Sequence, residues 1–261
     1  MDECERNIHE TVTLFEKLGF ITHKIKSILK PTNQRAFLGN IIDPERMIVT
    51  LPREKQETFK TECEILYSKY VAKIREVARV TGLIVSSFSA VEYGKLYYRK
   101  LENPKKMQAL KNSKGKFDAN MLVTSDMKED LEWWIKNVFD QFRIMSHGTP
   151  EITIETNASL LGWGAVIGQN KIGGRWTGLE QQNHINYLEM IAIWFALKSF
   201  KDEVPNRHVK ILSDNTTAVS YINNMGGYKS VDCNEMAKTI WSWCIENNIW
   251  ISCTHIPGCS G

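Results

Sequence analysis

The sequence predicts an α/β protein in which a mixed sheet with flanking helices follows a small α+β unit. Hydrophobic residues make up 43% and charged residues 24% of the 261 residues, which is typical of a globular protein and excludes a wholly disordered or fibrous chain. Residues 1–150 contain 25 Lys and Arg against 20 Asp and Glu, whereas residues 151–261 contain 8 against 10. Near Pro150 the pattern changes from helical spacing to alternating strands. We therefore expect two units, residues 1–148 and 149–261.

The first unit is predicted to contain helices around a hairpin. Apolar residues at helical spacing indicate a helix over residues 8–20. The apolar runs Ile25–Leu29 and Phe37–Ile42 predict the two strands of the hairpin. Pro52 suits the first turn of a further helix, and residues 93–120 are basic and are predicted to form a loop. The remaining predicted helices span residues 54–72, 74–91 and 125–140.

The second unit is predicted to follow the order strand, strand, strand, helix, strand, helix, helix, strand. Strands are expected from alternating apolar residues and helices from apolar spacing of three to four. The predicted strands are ITIET, GWGAVIG, IGGRWTG, HVKILSD and IWISCTHIP. The predicted helices span residues 186–201, 216–224 and 234–247.

Several classes of protein are excluded or disfavoured. There is no uninterrupted run of about 18 apolar residues, so we expect no membrane-spanning helix. The N-terminal residues MDECERNIHE are charged and do not resemble a secretory signal. Six Cys without a C-x-x-C pair indicate reduced thiols in an intracellular protein, cytoplasmic or nuclear, rather than a disulfide or zinc framework. The oligomeric state is left open.

Three polar residues of the second unit stand at positions that suit chemistry. Asp214 ends a predicted strand, Glu189 lies one turn into the long helix, and Asn157 ends the first strand. Carboxylates at strand ends and on one adjoining helix can converge at the rim of a sheet. Two divalent cations held there would activate water at a phosphodiester. The alternative is that both acids have only structural roles.

Four motifs occur in order in the second unit: T-N-A-S-x-x-G-W-G-A, N-Y-L-E-x-x-A, S-D-N-T-T-A-V and H-I-P-G. With the strand order, they resemble the ribonuclease H domain of retroelement reverse transcriptases, most of all those of DIRS-type (tyrosine-recombinase) retrotransposons. Residues 18–60 resemble the end of the palm and the primer-grip hairpin, with Phe37-Leu38-Gly39 at its turn. Residues 74–140 resemble the thumb and connection. The resemblance implies an RNase H-like fold, a Mg²⁺ cofactor, and an RNA–DNA hybrid or other nucleic acid as partner.

The family's metal-binding set is four acids, and this sequence departs from it. The second and third acids match Glu189 and Asp214, which the resemblance implies are catalytic residues and metal ligands. The first acid falls on Asn157, whose amide offers an oxygen but no charge. The fourth lies downstream of H-I-P-G, where Cys259-Ser260-Gly261 do not supply it. Glu155 shares a strand face with Asn157 but lies about 6.6 Å away by strand rise, so we expect Mg²⁺ to bind poorly.

Other residues are candidates for contact with nucleic acid. The resemblance implies that Asn186 and Thr216 contact the sugar–phosphate backbone. His255 matches a mobile histidine near the family's active site, which aids product release. The alternatives are helix N-caps for the first two and a solvent-facing strand end for the third. Trp163 and Trp176 are interpreted as packing residues of the sheet rather than as base-stacking platforms.

The basic stretch 95–116 is the stronger electrostatic candidate for nucleic acid. It contains eight Lys or Arg and one Glu, with Tyr97 and Tyr98 among them, and such residues can bind phosphates and stack on bases. A solvated loop is the alternative. The candidate contacts are Lys95, Arg99, Lys100, Lys105 and Lys106.

Three hypotheses for function follow. The first is a reverse transcriptase–RNase H fragment, truncated at both ends, catalytically inactive and binding nucleic acid weakly. No Tyr-x-Asp-Asp palm motif is present, since no two Asp are adjacent, so we expect no polymerase activity from this chain alone. The second is a residual Mg²⁺-dependent ribonuclease H that cleaves RNA in RNA–DNA hybrids. The third is a host-used protein-interaction module that kept the fold and lost the chemistry.

Overall fold

The computed structural model describes residues 2–257 except residues 24, 103–108 and 110. Described residues form a four-stranded antiparallel sheet, a two-stranded sheet and a five-stranded mixed sheet, with helices packed around them. This architecture confirms the predicted α/β class. Within the described part of the chain, no helix has both the length and the hydropathy needed to cross a membrane.

The first half of the chain contains short strands and helices. Its helices are α1 (Asp2–Lys17), α2 (Arg53–Tyr67), α3 (Ile74–Ser87), α4 (Arg99–Glu102) and α5 (Ser125–Asn137). Its strands are β1 (Arg35–Phe37), β2 (Asn40–Asp43), β3 (Ile48–Thr50), β4 (Val71–Lys73), β5 (Asn120–Leu122) and β6 (Arg143–Ile144). The four-stranded sheet has the order β1-β2-β3-β6, and β4 pairs with β5. The helices predicted from apolar spacing are present, with boundaries shifted by a few residues.

The predicted hairpin is misplaced. Ile25–Leu29 forms no strand, and the hairpin instead joins β1 to β2. Its two-residue turn places Leu38 at φ 48° and Gly39 at φ 76°. Two consecutive left-handed residues are typical of a turn that matches the twist of an antiparallel pair. A short run of apolar residues was therefore not enough to predict a strand; the turn residues that join it to its partner strand were also needed.

The prediction of a basic loop over residues 93–120 is wrong for its described part. A 3₁₀ turn covers Gly94–Tyr97, followed by α4 and later by β5. The buried Asp130 carboxylate accepts a hydrogen bond from the backbone N–H of Lys100 (2.9 Å) and so caps the start of α4. Burial raises the pKa of this carboxyl to about 7. The segment is ordered by contacts with α5 that charge patterning does not reveal.

The first core forms where α2, α3 and α5 pack together. Trp134 is fully buried, and its indole N–H donates to the carbonyl of Tyr97 at 2.7 Å. Gly94 lies against this ring, because a Cβ there would come within 2.7 Å of the Trp134 ring. The first core thus depends on a glycine at the start of the 3₁₀ turn.

The second half of the chain confirms the predicted element order. Its strands are β7 (Ile152–Ala158), β8 (Gly162–Ile167), β9 (Asn170–Arg175), β10 (His208–Ser213) and β11 (Trp250–His255). Its helices are α6 (Ile185–Ser199), α7 (Thr216–Asn223) and α8 (Val231–Glu246). The sheet has the order β11-β10-β7-β8-β9. β10 is parallel to both β7 and β11, whereas β8 is antiparallel to β7 and β9.

Alternation along β7 separates the two faces of this sheet. Ile154 and Thr156 are buried against the helices, whereas Glu155 and Asn157 are exposed. α6 is apolar around most of its surface and packs on β7 and β8. The exposed end of β7 and the start of α6 therefore meet at the rim of the sheet.

The two halves share contacts through residues 93–99. Leu96, which is 4% exposed, belongs to the core of the second half. The guanidinium of Arg99 donates to the carbonyls of Asn224 (3.2 Å) and Gly226 (3.3 Å). His147 stacks on Trp250 with ring centroids 3.6 Å apart. These contacts join Leu96 to the second core, Arg99 to the segment after α7, and His147 to β11.

We expect Arg99→Lys to lower the free energy of unfolding by about 1–2 kcal/mol. Lysine keeps the charge but cannot supply the planar fork of donors that reaches the two carbonyls of the second half. Chemical denaturation measures the change. Arg79→Lys is the matched control, because Arg79 forms an ion pair with Glu62 while its side chain stays 57% exposed, and such pairs contribute little. Equal losses in both variants would contradict the proposed importance of Arg99.

Candidate active site at the rim of the mixed sheet

Glu189 is the buried carboxylate of the site. It lies on the second turn of α6 and is 2% exposed. Its Oε1 accepts a hydrogen bond from the backbone N–H of Ala158 at 3.1 Å, and its buried Oε2 has no hydrogen-bond partner among the described residues. Burial raises the pKa of Glu189 to about 7; the charge of Asp214 adds to the rise, and the Ala158 hydrogen bond opposes it.

Asn157 lies near the end of β7, and Asp214 directly follows the neighbouring strand β10. β7 and β10 pair in parallel up to Glu155 and Leu212. Two further residues along each strand lead to Asn157 and Asp214, so continuing this register sets them side by side, about 4.8 Å apart between strands. Asp214 is half-buried and close enough to Glu189 for its charge to act on that carboxyl. The structure thus brings the three predicted residues to one rim.

Glu155 does not complete the set of acids. It is exposed on the same face as Asn157 but lies opposite Val166 and Leu212, further down the strand. Among the described residues, no group of three or more His, Cys, Asp or Glu is arranged to hold a metal ion. The rim therefore combines two carboxylates with one amide.

The other predicted residues surround Asp214. His255 is exposed at the end of β11, and its Nε2 donates to the carbonyl of Asp214 at 3.1 Å. Asn186 lies in the first turn of α6 and Thr216 in the first turn of α7. The alternative that these two are N-caps is wrong. The caps are His184, whose Nδ1 accepts from the N–H of Asn186 (3.1 Å), and Asn215, whose side chain accepts from Ala218.

A cleft opens beside the rim between the starts of α6, α7 and α8. Its volume is about 310 Å³. The polar side chains that line it include one cation, Lys229, and one anion, Asp232, together with those of His184, Asn186, Thr217 and Ser230. The side-chain donors of Asn186 and Lys229 favour ligands that carry acceptor oxygens, and Asp232 opposes a high negative charge on the ligand.

Arg99 and Lys100, in the first turn of α4, line a neighbouring pocket that shares Ser230 with this cleft, whereas Lys95 lines a separate one. Lys100 forms an ion pair with Glu129 at 2.6 Å, and Arg99 is held by carbonyls of the second half. Lys95 is half-buried, and burial lowers its pKa, with Arg143 and then Arg99 adding to the effect. Lys105 and Lys106 lie outside the described residues. The nucleic-acid role of this stretch stays a prediction.

The two tryptophans of the sheet pack as expected. Trp176 is 5% exposed, and its indole N–H donates to the carbonyl of Ser159 at 2.7 Å. Trp163 is half-buried and lies edge-on to Phe195, with ring centroids 5.3 Å apart. Both rings therefore pack within the protein, as the sequence predicts.

Asn215 is the residue of this site that the sequence analysis missed. Its Nδ2 donates to the Oδ1 of Asn186 at 2.9 Å, so it links the starts of α6 and α7. The available signal was an Asn placed directly before a predicted helix, which is a preferred N-cap. That signal predicts the cap but not the link across to the neighbouring helix.

Comparison with protein families gives one match, in the second half of the chain. The family model of the RNase H-like domain found in reverse transcriptase matches residues 148–244. The mixed sheet with its flanking helices is accordingly an RNase H-like fold. A comparison with curated proteins found no match.

Comparison with solved structures gives distant likenesses. A foamy viral protease–reverse transcriptase in complex with double-stranded DNA is 14% identical, with a TM-score of 0.45; the match covers 98% of this chain and 44% of that one. This chain thus spans less than half the length of the viral protein. LC11-RNase H1, solved with an RNA/DNA hybrid, is 20% identical (TM-score 0.35; 41% of this chain, 86% of that one). RNase H1 from Halobacterium salinarum is 15% identical (TM-score 0.32; 41% and 85%).

Proposed function

We propose that the second half of the chain is the hybrid-binding RNase H-like unit of a retroelement reverse transcriptase and that it cleaves RNA poorly or not at all. The family match at residues 148–244 supports the domain class. The motifs from T-N-A-S to H-I-P-G support a DIRS-type element. In this proposal the chain divides at about residue 148, and the first part corresponds to a thumb and connection.

One observation carries the proposal of weak catalysis: an amide stands where the sheet rim needs a third carboxylate. Asn157 is level with Asp214 and directly precedes Ala158, whose N–H binds Glu189. The residues that remain charged at this rim are therefore Glu189 and Asp214. Since the pKa of Glu189 is about 7, a fraction of even these two charges is lost at neutral pH.

This donor set does not fit a pair of Mg²⁺ ions. Mg²⁺ requires oxygen ligands in nearly ideal octahedral geometry, and carboxylates supply most of the neutralising charge. The Oε2 of Glu189 is buried without a partner, which suits one cation, but a second ion would share the same two carboxylates. We therefore derive no hydrolytic step for the unmodified chain and propose that Mg²⁺ binds weakly.

Binding of nucleic acid is proposed to rest on hydrogen-bond donors at the helix starts. Asn186 and Thr216 lie in the first turns of α6 and α7. Asn186 lines the cleft, and Thr216 directly precedes Thr217, which also lines it. We keep Lys95, Lys105 and Lys106 as proposed phosphate contacts. Arg99 and Lys100 are expected to contribute less, because both already have partners within the chain.

The residual ribonuclease is the alternative that an observation favours, since Glu189 and Asp214 are both retained at the rim. A host-used interaction module stays a hypothesis without such support. Its test is the expression of a stable protein in cells together with the capture of a defined partner. Failure to detect the protein in cells would remove it.

We expect the unmodified chain to bind a labelled RNA–DNA hybrid without cleaving it. Fluorescence anisotropy should show binding that weakens steeply with salt, because phosphate contacts release counterions. Asn186→Ala should weaken binding about fivefold, the equivalent of one hydrogen bond. No binding at low salt would contradict the proposal.

Cleavage is followed with the same hybrid in Mg²⁺ or Mn²⁺ on a denaturing gel. Glu189→Ala is the control for contaminating nuclease. Cleavage by the unmodified chain that disappears in Glu189→Ala would overturn the proposed inactivity and establish the residual ribonuclease.

A further inference from the structure

Asn215 connects two helix starts through its side-chain amide. Its Oδ1 accepts from the backbone N–H of Ala218 at 2.9 Å, and its Nδ2 donates to the Oδ1 of Asn186 at 2.9 Å. Its own N–H donates to the Oγ of the buried Ser213 at 3.2 Å. The amide of Asn215 is therefore held by hydrogen bonds at both of its ends.

These hydrogen bonds determine which end of the Asn186 side-chain amide faces Asn215. A backbone N–H can only donate, so the oxygen of Asn215 must face Ala218 and its NH₂ must face α6. An NH₂ group can only donate, so Asn186 must present its oxygen to Asn215. The NH₂ of Asn186 is consequently left facing away from Asn215. Among the described residues, no hydrogen bond uses this NH₂ group, and Asn186 lines the cleft.

We propose that Asn215 is a positioning residue that makes Asn186 a hydrogen-bond donor toward bound nucleic acid. This inference rests on the proposed function and names the chemistry that its cleft accepts. An NH₂ group in the cleft selects an acceptor oxygen of a nucleic-acid backbone, either a phosphate oxygen or a ribose hydroxyl. Without Asn215 the Asn186 amide turns freely and presents its oxygen about as often as its NH₂.

Among the residues that the structure describes, Asn215 is the one that forms a hydrogen bond with the Asn186 side chain. The N–H of Asn186 is already bound by His184, so the backbone of α6 cannot orient the side chain. Asp214 precedes Asn215 and presents its carbonyl to His255 rather than to Asn186. Lys229 and Asp232 also line the cleft, but among the described hydrogen bonds neither contacts the Asn186 side chain, so neither fixes the direction of its amide.

The test is a double-mutant cycle on hybrid binding with Asn215→Ser and Asn186→Ala. Serine is as good an N-cap as asparagine, so the midpoint of thermal unfolding should stay within about 2 °C. Its short hydroxyl does not reach Asn186, so the Kd for the hybrid should rise about threefold to fivefold. In the Asn186→Ala background the same change should have no further effect on the Kd.

A second variant reverses the polarity of the link. Asn215→Asp keeps an acceptor for the N–H of Ala218 but offers only acceptors to Asn186, which must then turn its oxygen into the cleft. We expect a larger loss of binding than for Asn215→Ser. Ser220→Asp adds the same charge at an exposed position of α7 that has no proposed role in binding, and so controls for repulsion. The loss in excess of this control should persist at high salt.

The outcomes separate the inference from the proposed function. Absence of hybrid binding by the unmodified chain rejects the proposed function. Binding that Asn215→Ser leaves unchanged, or weakens equally in the Asn186→Ala background, rejects the positioning role alone. Repeating the cycle on duplex DNA of the same sequence identifies the oxygen: a cycle that vanishes on DNA assigns the NH₂ of Asn186 to a ribose hydroxyl, and one that persists assigns it to a phosphate.

Discussion

An Asn157→Asp protein is expected to cleave the RNA strand of an RNA–DNA hybrid at least about tenfold faster in Mg²⁺ than the unmodified chain. The change restores a third carboxylate beside Asp214 with almost no change in volume. A tenfold gain requires only about 1.4 kcal/mol of additional stabilisation in the transition state. A divalent cation supplies such stabilisation by neutralising the charge that develops at the phosphodiester.

The matched control for this variant is Thr153→Asp. Thr153 is exposed on the same face of β7 but lies four residues from Asn157, about 13 Å away by strand rise. It adds the same charge to the same strand and should not accelerate cleavage. Initial rates are compared on one labelled hybrid across a Mg²⁺ titration.

Two results would contradict the account of the rim. If Asn157→Asp binds the hybrid as before and still shows no cleavage at any Mg²⁺ concentration, the missing charge is not what limits catalysis. If Thr153→Asp gains as much as Asn157→Asp, the effect is a general one of charge. Both results leave hybrid binding intact and so concern the chemistry only.

The second half of the fold could be predicted from its sequence because the hydrophobic periodicity and the turn residues indicate the same elements there. β7 alternates buried and exposed residues as ITIET predicts, and Gly168 sits at φ 56° in the turn between β8 and β9. The rim residues Glu189 and Asp214 were placed correctly because the ends of parallel strands and the neighbouring helix meet at one edge. The family match at residues 148–244 covers the same region.

The first half was harder to predict because its short elements depend on distant partners. The 3₁₀ turn and α4 are ordered by Trp134 and Asp130, which lie on α5 some 30 residues later. The basic charges of the segment pointed to a solvated loop, but Arg99 binds carbonyls of the other half. Single-sequence patterns do not report such tertiary hydrogen bonds.

The same limit applied within the site. The sequence indicates Asn215 as a cap before α7, and the structure adds its second bond to Asn186. Likewise, Glu189 could be matched to an acid, but its unpartnered Oε2 is a property of the packed rim. Residue types were predictable here, whereas the direction of each polar group required the assembled elements.

Glu189→Gln is expected to raise the free energy of unfolding by roughly 3 kcal/mol above pH 8 and to change it little near pH 4. The folded-state pKa of about 7 lies above the ordinary 4.5. Glu189 therefore favours the folded state fully at low pH, where it is protonated, and this contribution is lost as pH rises through 7. Each pKa unit corresponds to about 1.4 kcal/mol, so the rise in the pKa of Glu189 from 4.5 to about 7 accounts for the expected gain of roughly 3 kcal/mol. Glutamine keeps an acceptor for the backbone N–H of Ala158 and has no charge to bury.

Urea denaturation of both proteins between pH 4 and 9 measures the effect. Asp130 also has a pKa raised to about 7, but it is present in both proteins and cancels in the difference between them. Glu155→Gln is the control, since Glu155 is exposed on β7 and its substitution should change stability by less than about 0.5 kcal/mol. If the free energy of unfolding varies with pH in the same way in Glu189→Gln and in the unmodified chain, then burying the charged Glu189 carboxylate does not destabilise the fold.

The stability of Glu189→Gln also sharpens the test of catalysis. An Asn157→Asp/Glu189→Gln protein should lose the cleavage gained by Asn157→Asp. Loss of cleavage on mutation is often caused by unfolding, but here the second change is expected to stabilise the fold at the pH of the assay. A double variant that is folded, binds the hybrid and does not cleave it would therefore assign the chemistry to the charge of Glu189 itself. Cleavage that survives this substitution would place the reaction elsewhere on the protein.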